Sequence, residues 1–311
     1  MKTLSEIREL YHSVLLPELE VLEGQRKLAL NNIIIVASIV FPLALLLAYF
    51  IKDFWPMLVG FFIVAGAVAF ISKDYVRNFK TGIIEKIVHA VDEKLNYSQA
   101  AFIPRSLFSA SEIFRHKIDR YRGDDHVQGM LGRTKVEFSE VHAEYETRDS
   151  KGRTQHHTIF RGLFFVADFN KHFKGTTIVL PDTAERLFGG LGAMFQSWNK
   201  TRGALVKLED PEFEKLFVVY GEDQIEARYI LSTSLMKRIS DFRKKTNKNI
   251  FLSFKGSKIF IAIPYYRGLF EPRIFRTIID FAPIEQYFED LQLATGIVDD
   301  LNLNIRIWSK Q

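Results

Sequence analysis

A chain of 311 residues that is 47% hydrophobic, 14% aromatic and 25% charged has the composition of a folded protein, with room for one large domain or two ordinary ones. It contains no cysteine, which excludes disulfides, zinc ribbons, iron–sulfur clusters and thiol catalysis. The net charge of +5 is spread along the chain and falls short of a nucleic-acid-binding signature, while a mean hydropathy near zero despite so many charges requires the apolar residues to be concentrated somewhere.

Residues 4–30 read as a helix. Leu4, Ile7, Leu10, Tyr11, Val14 and Leu15 recur at intervals of three and four, which makes one apolar stripe. Pro17 is expected to break or kink it. Glu6, Glu9, Glu18, Glu20 and Glu23 make it acidic, so packing on protein is favoured over lying on lipid.

The apolar concentration lies between residues 33 and 71. Ile33 to Ile51, IIIVASIVFPLALLLAYFI, is uncharged over 19 residues, and Phe54 to Ile71, FWPMLVGFFIVAGAVAFI, over 18. As helices these are about 27–28 Å long, close to the roughly 30 Å of a hydrocarbon core. Only Lys52 and Asp53 separate them, which predicts a tight antiparallel transmembrane hairpin. Pro56 suits the first turn of the second helix, Pro42 should kink the first, and Tyr49 and Trp55 flank the turn at interface depth. Ala65, Gly66, Ala67 and Ala69 offer a small-residue surface for packing, between the spans or with another copy in a homo-oligomer. No Asp, Glu, Lys, Arg or His lies inside either span, which argues for an anchor and against an ion path.

Arg26 and Lys27 precede the first span, and Lys73, Arg77 and Lys80 follow the second, while the turn holds only Lys52. The positive-inside rule places both termini in the cytoplasm, and the late start of the first span speaks against a cleaved signal peptide. The expected division is a cytoplasmic amphipathic helix at 1–32, the hairpin at 33–71 and a cytoplasmic domain at 72–311. That last part carries 37 Lys and Arg against 31 Asp and Glu, a balance that tolerates an anionic leaflet.

Beyond the second span the helix is expected to continue from Tyr75 to Leu95, and Ser111 should cap a short helix reaching Ile118. Thr134 to Thr147 and Thr154 to Phe169 are rich in Val, Phe, Tyr and Ile and flank the turn Asp149 to Gly152, a hairpin signal. Gly175–Leu180, Leu205–Leu208 and Phe217–Tyr220 read as further short strands. A helix is expected over 225–245, with Ser232 or Ser234 capping a fresh turn inside it. A second hairpin should turn about Lys255, Gly256 and Ser257, and a last helix should run over 278–298. Hairpin-joined strands with helices grouped between them predict an α+β fold with a mainly antiparallel sheet.

The charge-free hairpin, the block KVEFSEVHAEYE…FRGLFFVADFNKHFKGTTIVLPD and the block EARYILSTSLMKRISDF…NIFLSFKGSKIFIAIPY together resemble a bacterial membrane-protein family catalogued as domain of unknown function 3137. The resemblance covers nearly the whole chain and is strongest from about 120 to 265. It implies a membrane-anchored bacterial protein, of a kind sometimes encoded beside LemA-like membrane proteins. It implies no activity and no catalytic residues.

Chemistry is sparse. His142, His156 and His157 fall on the two strands of the first hairpin, but alternation puts the last two on opposite faces, short of the three or four convergent ligands of a zinc site. The glycine stretch Gly189 to Phe195 lacks the Lys and Ser/Thr of a phosphate loop. No nucleophile elbow, zinc-protease or kinase pattern occurs, so neither metal nor cofactor is expected. Two surfaces stand out for a partner or lipid: the cationic helix face of Arg238, Arg243, Lys244, Lys245 and Lys248, and Leu191, Phe195 and Trp198 in the glycine-rich loop. The leading expectation is a non-catalytic, membrane-anchored cytoplasmic module at the bacterial inner membrane that binds another membrane protein or lipid headgroups. The rival is an enzyme on a membrane-associated substrate, with Glu140, His142, Glu144 and His157 as its site residues.

Overall fold

The structure is a computed structural model, and it describes residues 4–183, 203–265 and 268–304. Residue contacts divide it into two compact units: residues 1–91 with 270–289, and residues 92–269 with 290–311.

The first unit is helical. Helix α1 (Leu4–Leu10) passes through a π-helical turn, Tyr11–Leu15, into α2 (Leu16–Ile51). Pro17 therefore does not end the helix. Its ring would press on the carbonyl four residues back, and the wider π-turn lies at that place. α2 also runs unbroken through Pro42. Lys52 closes it in a left-handed conformation, φ 55°, and Asp53 Oδ1 accepts a hydrogen bond from the Trp55 amide at 3.3 Å. Helix α3 (Trp55–Phe79), with Pro56 in its first turn, continues through a second π-turn, Lys80–Ile84, into α4 (Glu85–Val91).

Both helices are long and apolar enough to cross a membrane, and their apolar windows are mostly unburied. Phe61, Phe62 and Phe70 are 60%, 64% and 82% exposed, which water would penalise and lipid would not. The two helices approach closely at Gly60, where a Cβ would come within 2.9 Å of Ala44 Cβ, whereas nothing lies within 4 Å of a Cβ at Gly66. Outside the apolar windows, Leu15, Leu19 and Leu22 on α2 and its π-turn, and Phe79, Ile83, Ile84 and Val88 after α3, are buried. The unit is thus a packed helical stalk below an unburied hairpin.

The second unit is α+β, with a seven-stranded antiparallel sheet. Its strands are β1 (Leu95–Ser98), β2 (Arg120–Leu131), β3 (Thr134–Arg148), β4 (Thr154–Pro181), β5 (Ala204–Leu205), β6 (Phe217–Gly221) and β7 (Phe251–Pro264). The order is β1-β2-β3-β4-β6-β5, and β7 pairs with β4 as well. The β3–β4 turn is the expected one: Asp149 Oδ1 accepts from the Lys151 and Arg153 amides at 2.9 and 2.8 Å, and Gly152 supplies a positive φ. β4 pairs with β3, β6 and β7 along its length and is buried on both faces over residues 162–167, and Phe160, Phe164 and Val166 sit in the core with Ile103, Phe108, Phe114 and Phe251.

Four local expectations give way. Residues 175–180 are not a separate strand but the far end of β4. Lys255–Gly256–Ser257 is no turn: β7 stays paired with β4 from Leu252 to Pro264. Gly256, at φ +60°, and the register shifts around Phe173 opposite it form a bulge that keeps both strands on course. Ser111 ends helix α5 (Arg105–Ala110) rather than starting one, because Glu112 takes a positive φ and Ser111 Oγ turns back onto the Phe108 carbonyl at 2.6 Å. The helix expected over 225–245 is two, α7 (Gln224–Ile230) and α8 (Thr233–Thr246), after the short α6 (Pro211–Glu214). Ser232 caps α8 by accepting from the Leu235 amide, and α9 (Phe281–Asp300) closes the described chain.

Candidate functional site

The cations chosen from the sequence lie on or just after α8, whose buried side holds Leu235, Met236, Ile239 and Phe242. Each has a partner within its own unit. Arg238 Nη1 donates to the Asp300 carbonyl at 3.4 Å, Arg243 Nη2 to Asn249 Oδ1 at 2.9 Å, Lys244 pairs with Glu212, and Lys245 pairs with Asp300 at 2.9 Å. Lys248 Nζ lies 4.1 Å from the centre of the Tyr265 ring, a cation–π contact. Lys244 and Lys245 are the exposed members, and the Glu212 carboxylate holds the Lys244 ammonium above its ordinary pKa. Leu191, Phe195 and Trp198 lie outside the described residues.

The first hairpin carries a cleft of about 270 Å³ lined by Arg122, Gly123, Asp124, Glu140, His142 and Arg161. Arg122, His142 and Arg161 face one another directly across β2, β3 and β4. His142 Nδ1 accepts from Arg122 Nε at 3.1 Å and lies 2.8 Å from Arg122 Nη2, so the proton of the neutral ring is assigned to Nε2, 3.4 Å from Glu144 Oε1. Burial pushes the His142 pKa down, Glu144 opposes this, and Arg122, Arg161 and Arg120 add to it. The neutral imidazole then has no free lone pair with which to take a proton. Glu140 accepts from the Leu269 amide at 2.9 Å and ties a loop to the sheet.

The other histidines go elsewhere. His156 lies 3.4 Å from Glu146. His157 lies 2.8 Å from Thr147 Oγ1 and stacks on Tyr145, whose ring also stacks on His116. Among the described residues no histidine joins two other ligand side chains at metal-binding distance.

A buried polar network lies in the helical stalk, and sequence reasoning passed over it. The irregular segment Phe270–Asp280 crosses the helices and is held by their side chains at its backbone. Glu23 and Arg26 form a two-bonded pair, Arg26 Nε to Glu23 Oε2 at 2.8 Å and Nη2 to Oε1 at 2.7 Å. Arg26 Nη1 also donates to the Ile274 carbonyl at 2.7 Å, and Glu23 Oε2 accepts from the Ile278 amide at 3.2 Å. Tyr75 donates to the Arg273 carbonyl at 2.9 Å, Tyr287 to the Glu271 carbonyl at 2.7 Å, and Tyr11 to the Ile279 carbonyl. Lys80, almost fully buried, pairs with Glu271 at 2.8 Å.

Tyr11 and Lys80 sit in the two π-turns, so both irregular helical turns serve to hold this strap. The Arg26 guanidinium holds the Glu23 carboxyl below its usual range against the effect of burial, and Glu23 raises Arg26 in return; burial pushes the Tyr75 hydroxyl up. The available signal was weak: FEPRIFRTIID has a proline and alternating cations and apolars but follows neither the helical nor the strand period.

The sequence model of the family described as Protein of unknown function (DUF3137) matches residues 158–303. Over these residues, just under half of the chain, the sequence is similar to that family. The match starts inside β4 and includes β7, α8, the strap and the whole of α9. It is narrower than the near-complete extent expected from the sequence and leaves out the apolar hairpin. The crystal structure of the mycobacterial trehalose monomycolate transport factor A, TtfA, aligns with 67% of this chain and 92% of its own at 8% identity, with a TM-score of 0.35. That likeness is too loose to carry fold or function across. No curated protein matches the chain.

Proposed function

We propose that this chain is a non-catalytic interaction module, anchored by two spans in a bacterial inner membrane with both termini in the cytoplasm, and that it engages another membrane protein or lipid headgroups. The observation that carries the reading is the unburied apolar surface of α2 and α3, which a bilayer covers at no desolvation cost. Orientation rests on Lys27, Lys73 and Arg77 at the open end of the hairpin against Lys52 alone at its turn.

The non-catalytic part is supported by the His142 cleft, where the imidazole is committed to Arg122 and Glu144. The proposed partner surface is the α8 face of Arg238, Arg243, Lys244, Lys245 and Lys248; Leu191, Phe195 and Trp198 are a separate candidate from the sequence, outside the described residues. Exposed ion pairs such as Lys244–Glu212 contribute little because solvent screens them, so an incoming carboxylate or phosphate displaces Glu212 or Asp300 at little cost. On the family resemblance, a LemA-like membrane protein is the first partner to seek.

Purification of the tagged full chain from its native membrane in mild detergent, followed by mass spectrometry, tests this. The expected result is a stoichiometric membrane protein or retained lipid that is lost in the Lys244→Gln, Lys245→Gln double variant. A clean chain with neither, or a companion indifferent to those charges, contradicts the assignment of this surface.

A further inference from the structure

The strap has a direction. Its ends are held far from the spans, Glu271 by Lys80 and Ile279 by Tyr11, while its middle is held near them, Arg273 by Tyr75 and Ile274 by Arg26. Tyr75 follows the end of the second apolar run, Ile71, by four residues, and Arg26 precedes the start of the first, Ile33, by seven. At 1.5 Å per residue these anchors lie only ~6 and ~10 Å along the helices from the runs, at or just below a headgroup layer roughly 5–8 Å deep.

At this level the strap turns outward an apolar side chain and a cation: Phe275 is 68% exposed and Arg276 is exposed beside it. Among the described residues no carboxylate pairs with Arg273 or Arg276, since Glu23 is committed to Arg26 and Glu271 to Lys80. Lys27 and Lys73, both exposed, stand on the helices at the same level.

We propose that the strap apex, Arg273 to Arg276, is a lipid-binding loop that inserts Phe275 into the headgroup–acyl boundary and receives the phosphates of anionic lipids on Arg273 and Arg276. An aromatic ring gains by leaving water at that depth while the guanidinium heads stay among the phosphates. The buried Glu23–Arg26 and Lys80 contacts hold the loop backbone in place, so little ordering cost remains when lipid binds. This inference rests on the membrane reading above and adds the lipid class and the residues that recognise it.

The absence of cysteine makes a single labelled site straightforward. The full chain carrying Phe275→Cys with a nitroxide is reconstituted in vesicles of phosphatidylcholine alone or with one part in three phosphatidylglycerol, and the label's collision rate with a water-soluble paramagnetic relaxant is read. The expected result is shielding that increases with phosphatidylglycerol, with apparent affinity for the anionic lipid falling about fivefold for each of Arg273→Gln and Arg276→Gln. A label at Phe70→Cys, inside the second span, serves as the reference. Shielding at position 70 with full water access at position 275 in both vesicles overturns the lipid-binding loop and leaves the anchor standing; water access at position 70 overturns both.

Discussion

Glu23 and Arg26 show how much one pair of side chains does in the stalk. Taken from water together, two charges are tolerable only if every remaining lone pair and proton is used, and here the Ile274 carbonyl and the Ile278 amide use them. Removing one partner leaves the other charge buried. Glu23→Gln, measured by chemical denaturation in detergent at pH 7, should cost about 3 kcal/mol. The pH dependence has a definite sign: a carboxyl held below its ordinary value by Arg26 stabilises fully above an unfolded pKa of about 4.3, and loses that contribution as the pH falls through the lower folded value. The gap between the two proteins should therefore narrow as acid is added below that point, and equal stability at pH 7 would contradict the network. The i,i+3 spacing of this pair was visible in the sequence, where Glu23 counted as one acid among five. Its partners were not visible, because they are backbone groups some 250 positions away in a segment with no periodicity.

At the scale of elements, legibility followed local chemistry. The β3–β4 turn announced itself because Asp149 and Gly152 do within five residues what the turn requires. The break between α7 and α8 was half visible in the Ser232 cap. The bulge in β7 was misread as a turn, since Lys-Gly-Ser is compatible with either and only the strand beside it decides. β4 depends on such neighbours most acutely at Gly162. With φ +151°, its missing Cβ would stand 2.2 Å from the Ile263 carbonyl oxygen, where β3 and β7 both pair with β4. Gly162→Ala should lower stability by roughly 2–4 kcal/mol. Gly152→Ala, also at positive φ but with open space around it, should cost only about 1 kcal/mol, as a backbone term alone. Thermal unfolding of the two variants side by side checks this, and equal midpoints would mean that the close approach at Gly162 relaxes freely.

At the scale of the whole molecule, the apolar runs were the most legible feature and the return of the chain the least. A hydrophobic run long enough to cross a bilayer can be counted from the sequence. That residues 270–289 leave the sheet unit to join residues 1–91 cannot, because the contacts that bring them back are polar bonds from Tyr11, Glu23, Arg26, Tyr75 and Lys80 to the backbone and carboxylate of one short segment. The candidate partner face on α8 was legible as charge, and the structure adds the internal carboxylates with which a ligand would compete. All of these readings stand on the hairpin being covered by lipid. Alkaline carbonate extraction of membranes from cells expressing the full chain tests that most directly. The account predicts that the chain stays in the membrane pellet, and that a variant carrying Ile39→Arg and Phe62→Arg, two outward positions of the spans, is released or fails to insert. Release of the unaltered chain into the carbonate supernatant would contradict the account at its base.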